Sequence, residues 1–569
     1  MDRREFVKLG GAGLAAVALA GATDLSWLTG RAYASGTSGT AWKFGVMADT
    51  QWKANLDGLN PGTCAVGIIN ALNAQFIDHG VKFVVQVGDL VDVEYDALNG
   101  DPTRRTMPFR ASAAQALYDA GIGFYPLRGN HEGSQLAATE FQTLYPQARG
   151  AGANVLGATN FSSPFATLDG LSYSFDFENV RFVLLDQFTR TDGSSYLGSS
   201  NNNIVDQLSW IDDTLADRTS DTHAFVLSHK NLIGQNHTDV LFGSDPAKNA
   251  VARSAFISSL QANGVRYQIG GHDHMHDRSI ITSPDGTASV SQLICSSNSY
   301  KFYIPRRPSC DETYNFPRRE QNLVQELWTV GYYIFTVDGP RVTVDFYSAA
   351  HGADYADIDL QMTPANLVFF KRESWGYSLN GKEFVIGQGE SYAVVEDSNG
   401  GTTARILSGE NGCAETDFSL RPLSKAVNTG WSTYGGADLI AASKVLSIWG
   451  IADSLALWDG ALTGLLPDSA RSAEGDTYVL SMSYDEDLAG SLGNGRFGIA
   501  SLTGDGAWVN AVDRNFGGTK AFVKGAWKSG YGLGTYGVDP SSKTAWAVIN
   551  YEGDFMAARD IELVPGQRG

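Results

Sequence analysis

The sequence predicts a layered α/β unit followed by a mostly-β unit, and three observations carry that expectation. From Trp42 to about Ala350, runs that read as buried strands alternate with stretches of helical spacing. Periodicity is lost at 350–365, most plainly from Ala349 to Asp359, which marks a boundary. Beyond it, short alternating segments are divided by Gly, Asn and Asp turns. At 569 residues the chain is too long for one ordinary domain. With 43% hydrophobic and 18% charged residues, it belongs among globular rather than disordered proteins. The expected organisation is a signal over 1–34, a chemistry-bearing unit over 40–350 and a β-rich unit of unknown role over 360–569.

The first residues stand outside the fold. Arg3-Arg4-Glu5-Phe6-Val7-Lys8 precedes an apolar run from Leu9 to Ala22, and Ala32-Tyr33-Ala34 offers a small-x-small cleavage pattern. The paired arginines resemble a twin-arginine export signal, which implies a periplasmic or secreted location. The competing reading is an uncleaved membrane anchor, for which the run is short and weakly apolar. No later stretch approaches the length of a transmembrane helix. The 62 acidic residues outnumber the 42 basic ones, and the net charge of -20 repels nucleic-acid backbones and anionic membranes. No nucleic-acid partner is therefore expected, and plain solubility outside the cell is the simpler meaning of the charge. Of the four cysteines, Cys64, Cys295, Cys310 and Cys413, none forms a Cys-x-x-Cys pair, so no zinc ribbon or redox motif is indicated. A Cys295–Cys310 bridge and free buried thiols both remain open.

Within the first unit, Lys43–Ala48 reads as a buried strand, 64–79 as a helix and Val81–Val87 as a second strand. Helix 111–120 and strand Gly123–Leu127 follow. Leu171–Phe177 and Val180–Asp186 flank Glu178-Asn179 as a hairpin. Helix 204–215 precedes strand His223–Ser228, and helix 251–263 precedes strand Val265–Ile269. Tyr332–Val337 and Val342–Tyr347, split by Asp338-Gly339-Pro340, form a closing hairpin. In the second unit, Thr477–Tyr484, Ala521–Val523 and Thr544–Tyr551 read as half-exposed strands, and the apolar stretch 438–457 as a helix. Neither a repeat nor a catalytic motif is visible there.

Five short motifs occur in order along the first unit, each just after a predicted strand or in a loop. In Asp49-Thr50-Gln51, side chains two apart on an extended chain point the same way, so both can reach one ion. Gly88-Asp89-Leu90-Val91-Asp92 follows Val81–Val87, and Gly129-Asn130-His131-Glu132 follows the strand ending at Leu127. His229 closes His223–Ser228, and Gly270-Gly271-His272-Asp273-His274 follows Val265–Ile269. Divalent ions take carboxylate, amide oxygen and neutral imidazole, and these motifs supply all three. The glycines permit sharp turns and close backbone approach beside a crowded site. A lone Gly-Asp or a lone His is ordinarily a loop or core residue; five such motifs in order at strand ends are poorly explained by chance.

The set resembles the calcineurin-like metallophosphoesterase family, whose pattern is Asp-x-His, Gly-Asp-x-x-Asp, Gly-Asn-His-Glu/Asp, His and Gly-His-x-His. The resemblance covers roughly Trp42 to Ala350. It implies two β-sheets packed face to face with helices outside, and two divalent or trivalent ions: manganese, magnesium, iron or zinc. It further implies that Asp49, Gln51, Asp89 and His274 hold one metal, and that Asp89 bridges to a second completed by Asn130, His229 and His272. His131 would be the acid or phosphate-contacting residue, oriented by Asp92. Two such ions, about 3.5–4 Å apart, activate water for in-line attack on phosphorus. Gln51 departs from the pattern, standing where most members have histidine. Either it ligates through its amide oxygen or the first metal binds more weakly. Relatives acting on nucleoside-diphosphate compounds are similar in having Asp-x-Gln, and the harder amide oxygen favours manganese or magnesium over zinc. Purple acid phosphatases carry tyrosine where Asp92 stands, so an iron–tyrosinate site is not implied.

The expected function is hydrolysis of a phosphate mono- or diester or a pyrophosphate in a small phosphorylated substrate. The alternative is a catalytically decayed surface-binding or scaffold protein whose β-rich tail does the work. Gln51 is its only support; the tail itself could bind glycan, cover the site or mediate dimerisation. Among other residues, His237 is a candidate substrate contact, and His276 is either a site-lining or a solvated loop histidine. His79, His223 and His351 read as ordinary structural residues, and Trp52 and Tyr300 as packing or as an aromatic wall.

Overall fold

The computed structural model describes residues 41–52, 60–93, 106–303, 305, 319–349, 367–379, 382–387, 401–408, 424–449, 451 and 475–562, apart from positions 220, 246, 328, 433, 435, 437 and 438. The expected signal, His351, Cys310 and Cys413 lie outside the described residues. Two sheets form the first unit. One has strand order β14-β13-β12-β1-β2-β3, built from β1 (Trp42–Met47), β2 (Phe83–Val87), β3 (Gly123–Leu127), β12 (Val330–Asp338), β13 (Arg341–Ala349) and β14 (Phe369–Ser378). The other runs β11-β9-β10-β8-β7-β6-β5-β4, from β4 (Thr159–Ser162), β5 (Tyr173–Phe177), β6 (Val180–Leu185), β7 (His223–Ser228), β8 (Tyr267–Gly270), β9 (His276–Thr282), β10 (Ser289–Ile294) and β11 (Glu320–Glu326). β1, β2 and β3 are mutually parallel, as are β6, β7, β8 and β10. Their C-terminal ends carry the five motifs, the usual ligand-bearing edge of such sheets.

Aromatic side chains fill the space between the sheets. Phe44 of β1 stacks on Phe335 of β12 at 4.6 Å and meets the ring edges of Phe182 and Phe225 from the opposite sheet at 5.0 and 5.1 Å. Burying one such ring contributes about 1.5–3 kcal/mol. The outer faces are covered by helices. Ile68, Ile69, Leu72 and Phe76 recur at helical spacing in α1 (Val66–Asp78) and pack on the first sheet together with α2 (Gln135–Leu144). Gly80, at φ 65°, lies two residues beyond α1 and turns the chain into β2. α3 (Leu208–Ala216) and α4 (Ala250–Ala262) cover the second sheet through Ile211, Leu215, Phe256 and Leu260. The unit is thus an α/β sandwich of two sheets flanked by helices, as expected.

Three details differ from the expectations. The single helix over 111–120 is two short ones, Met107–Ser112 and Gln115–Asp119, because Asn73 from α1 donates to the Ala113 carbonyl at 2.8 Å and removes it from the helical ladder. The first sheet continues past 350–365: β14 pairs antiparallel along all of β13, from Arg341↔Ser378 to Ala349↔Phe369. Loss of periodicity there precedes one more strand of the same sheet. Finally, 438–457 is no helix in its described part; Ile440–Ala441 and Val445–Trp449 are strands. Leu446 and Ile448 are fully buried in the core of the second unit, and cross-strand hydrogen bonding to Gly553–Arg559 outweighs the apolar run's helical look.

That second unit is mostly β. Its larger sheet runs Lys382–Gly387, Ser424–Ser432, Val445–Trp449, Gly553–Arg559, Phe497–Leu502 and Trp508–Asn510, with Ile440–Ala441 also paired to Gly553–Arg559. A five-stranded sheet runs Thr403–Ser408, Thr477–Ser483, Thr544–Ile549, Thr535–Asp539 and Ala521–Lys524. Tyr478, Leu480, Ile499, Trp508, Phe555 and Met556 form the core they share. Arg341 of β13 pairs with Asp554, which also accepts from Ser447 at 2.5 Å.

Candidate metal centre

Three of the five motifs enter the site through a left-handed backbone turn. Asp49, Asp89, His272 and His274 all have positive φ, at 51°, 46°, 72° and 54°. Non-glycine residues occupy this region rarely, and such positions gather where a site demands them. The glycines supply room: a Cβ on Gly129 would stand 2.0 Å from Asp89 Oδ1, and one on Gly271 2.6 Å from Asp49 Oδ2. Glu132 fastens two of the turns together, its buried carboxylate accepting from Gly129 N and Val91 N, each at 2.9 Å. Beneath them the buried Arg128 pairs with Asp186 at 2.5 Å and donates to the Glu132 and Ser134 carbonyls.

Two groups of buried donors result. Asp49, Asp89 and His274 form one, Asp89, His229 and His272 the other, and within each the ligand atoms lie within 4.8 Å of one another. Asp89 is shared. Asn130 joins the second group, its Oδ1 3.0 Å from His229 Nε2, while His229 Nε2 is 3.2 Å from Asp89 Oδ1. Gln51 joins the first. Its Nε2 lies 3.0 Å from Asp89 Oδ2 and 3.3 Å from His274 Nε2, so the amide group stands where a cation would sit, satisfying the same acceptors. The Gln51 Oε1 is buried with no hydrogen-bond partner. A half-turn of the amide exchanges the two atoms and presents oxygen to the ion, so this donor set fits two divalent ions. The structure thus brings together Asp49, Gln51, Asp89, Asn130, His229, His272 and His274.

The histidines are set for the task by what holds their other nitrogen. His229 Nδ1 donates to the Val87 carbonyl at 3.1 Å and His274 Nδ1 to the Lys301 carbonyl at 2.8 Å, leaving each Nε2 facing the carboxylates. His272 Nε2 lies 3.3 Å from Asp239 Oδ1, which leaves Nδ1 as its ligand atom. Asp239 in turn accepts from the fully buried Lys230 at 2.5 Å. Such outer partners fix tautomer and ring orientation. Burial would raise the pKa of Asp89, but the charges of His229 and His131 hold it well below the usual carboxylate range. Burial would likewise depress His229, yet Asp89 and Asp49 push it up to about 9. His272 goes the other way: burial and the neighbouring His237 press it down to about 4, so it presents a neutral ring beside an ionised Asp239. Burial and the charge of Asp89 push Glu132 up to about 7.

His131 sits at the mouth, its Nε2 3.8 Å from Asp89 Oδ2. Asp92 meets it through the main chain: His131 Nδ1 donates to the Asp92 carbonyl at 2.5 Å, whereas the Asp92 carboxylate is 3.7 Å away and accepts from Lys301 and Tyr300. His237 lies beside the centre, its ring 4.1 Å from that of His272 and its Nδ1 2.8 Å from Asp273. Asp273, buried within the fifth motif, also accepts from the backbone of Gln235 and His237 and so ties that loop down. His276 neither lines the site nor is solvated; it opens β9, buried between Tyr333 and Glu373 at 3.0 and 2.9 Å. Trp52 packs edge-on against Tyr300, and Tyr303 lies 4.9 Å from His274. His79 and His223 bond Tyr332 and the Gly339 carbonyl. Cys64 and Cys295 are free, buried thiols. No helix among the described residues is long and apolar enough to cross a membrane, which leaves β-barrels unaddressed.

The sequence profile of the calcineurin-like phosphoesterase family matches residues 43–276. No curated protein sequence matches the chain. Among solved structures, it resembles a purple acid phosphatase from yellow lupin (Lupinus luteus) seeds at 14% identity and TM-score 0.36, over 60% of this chain and 54% of that one. The chain therefore spans about half the length of the lupin protein. It also resembles the anchor in the inner membrane complex of Plasmodium, at 14% identity and TM-score 0.32, over 54% and 84% of the two chains. A dimetal phosphatase from Danio rerio is similar at 16% identity and TM-score 0.34, over 58% and 99%.

Proposed function

With residues 43–276 matching the calcineurin-like phosphoesterase family on its fold, we propose that this chain is an exported, metal-dependent phosphoesterase. It hydrolyses phosphate mono- or diester or pyrophosphate bonds in a small phosphorylated substrate. The observation that carries the reading is the sharing of Asp89 between two buried donor groups whose histidines have their ligand nitrogens already selected. Asp49, Gln51, Asp89 and His274 would hold one ion, and Asp89, Asn130, His229 and His272 the other. Bound there, the ions supply charge to polarise the phosphoryl group and a lowered pKa for an attacking water.

The chain's own residues do the rest. His131, held through Nδ1 by the Asp92 carbonyl, points Nε2 toward the space beside Asp89. Protonated there, it would contact a phosphoryl oxygen or deliver the proton to the leaving oxygen. His237 and Tyr303 flank the other side, next to His272 and His274, and offer ring faces to the remainder of the substrate. Gln51 contributes amide oxygen where an imidazole would be softer, which favours manganese. No member of the donor set is missing, which counts against a decayed scaffold. Export rests on the paired arginines and the Ala32-Tyr33-Ala34 pattern.

The test is hydrolysis of bis-p-nitrophenyl phosphate and p-nitrophenyl phosphate after chelation, with manganese, magnesium, zinc or iron restored singly and Asp89→Ala as control. Turnover restored by metal and abolished in the variant is the expected result. A protein that binds no metal would overturn the reading.

A further inference from the structure

Lys301 lies outside all five motifs, yet it touches both His274 of the first donor group and the Asp92–His131 pair at the mouth. Its main-chain carbonyl takes the Nδ1 proton of His274, and so selects that ring's ligand nitrogen. Its ammonium lies 2.5 Å from Asp92 Oδ1 and 3.4 Å from His131 Nε2. The segment that carries it is tied down by hydrogen bonds. Asn298 bonds the main chain on either side of the Asp49 turn, from Nδ2 to the Ala48 carbonyl at 3.0 Å and from its backbone N to the Asp49 carbonyl at 3.1 Å. Ser297 Oγ donates to the Lys301 carbonyl and Ser299 Oγ accepts from Lys301 N. The Lys301 side chain is 21% exposed, so it faces the mouth rather than the core.

We propose that Lys301 is a catalytic residue that contacts the leaving oxygen of the scissile phosphoester beside His131, and stabilises the charge developing there. This rests on the phosphoesterase reading above. Asp92 accepts one N–H of the ammonium, which leaves its other N–H groups for substrate. As the oxygen of water bonds to phosphorus and gives up a proton to solvent, the bond from phosphorus to the leaving oxygen breaks and its electron pair stays on that oxygen. Lys301 holds the forming anion until it is protonated, by His131 or by solvent. A poor leaving group accumulates more charge at this point than a good one, so it depends more on the cation.

The experiment compares wild type, Lys301→Met and Lys301→Arg on aryl phosphate esters of p-nitrophenol, p-chlorophenol and phenol, in whichever mono- or diester series wild type hydrolyses. Lys301→Met is expected to lose about 10²-fold in kcat with the phenol ester, typical for one lost transition-state donor. It should lose much less with the p-nitrophenol ester, and Lys301→Arg should restore most of the difference. Metal stoichiometry should be unchanged, because His274 is held by the main chain. An equal loss across the three esters would assign Lys301 a purely structural part and overturn the proposal. So would loss of metal or fold in Lys301→Met. Failure of wild type to hydrolyse any ester with metal bound would instead strike the phosphoesterase reading itself.

Discussion

Gly129→Ala isolates the demand that two loops place on one another, because it changes no charge and removes no donor. Gly129 has φ -104° and ψ -171°, extended backbone that alanine adopts freely, so the whole effect is steric. The new Cβ would lie 2.0 Å from Asp89 Oδ1 and 2.3 Å from the Asp89 backbone nitrogen. Rotating the carboxylate cannot relieve the second contact. Reaching ordinary contact at 3.4 Å requires the Asp89 turn to retreat by about 1.1–1.4 Å. Asp89 belongs to both donor groups, so this retreat loosens both ions at once. Misplacement by about 1 Å is enough to cost roughly 10²-fold in rate, while overpacking of this kind costs about 1–3 kcal/mol in stability. The assay is kcat/KM with metal in excess, beside metal content after dialysis and the melting temperature of the chelated protein. Gly504→Ala, where a Cβ meets nothing within 4 Å, serves as control. If Gly129→Ala kept two ions and near-wild-type kcat/KM, the loops would have slack that this geometry denies them.

Asp239→Ala should weaken metal binding by about 10–100-fold, the usual effect of removing a histidine's outer partner, as read by competition with a chelating dye; unchanged affinity would mean that His272 is oriented by other contacts. Gln51→Ala should lower the metal content measured after dialysis from two ions toward one, since only the group of Asp49, Asp89 and His274 loses a donor; loss of both ions would contradict the division into two groups. Burial presses His223 from the usual 6.5 down to about 4, against its bond to the Gly339 carbonyl, so the unfolded chain binds the extra proton first. Its stabilising share is therefore complete above pH 6.5 and falls away as pH drops toward 4, by about 3 kcal/mol in all; urea unfolding from pH 4 to 7 should show this slope, and His223→Gln should flatten it.

The motifs were legible because the chemistry leaves few substitutes. Asp49, Asp89, Asn130, His229, His272 and His274 each fall within five residues of the end of a strand that reads clearly as buried, and glycine immediately precedes three of the six. Gln51 was legible as a departure, but only the geometry places its amide against both Asp89 and His274. The partners behind the ligands were not legible. Asp239 is one acid among many in a loop, Lys301 lies 27 residues from the ring its carbonyl holds, and Arg128 pairs with Asp186 across 58 residues. Long-range pairs leave no spacing to read. His276 misled because two residues past the Gly-His-x-His motif looked like loop, whereas β9 begins at His276 and turns it inward to Glu373. The boundary near 350–365 misled for a similar reason, since a strand's partner is invisible until the sheet is assembled.

The left-handed turns at Asp49, Asp89, His272 and His274 bear on how ions come and go. Holding a non-glycine residue in that region takes of order 1–2 kcal/mol. Here it is met by the sheets and by partners such as Glu132 and Lys301, none of which is an ion. Those supports do not depend on an ion, so the berth would outlast one that departs. Exchange between one metal and another becomes a local event, timed by ligand chemistry rather than by refolding of the loops. Which metal the protein carries would then reflect the supply around it at least as much as the moment at which it folded.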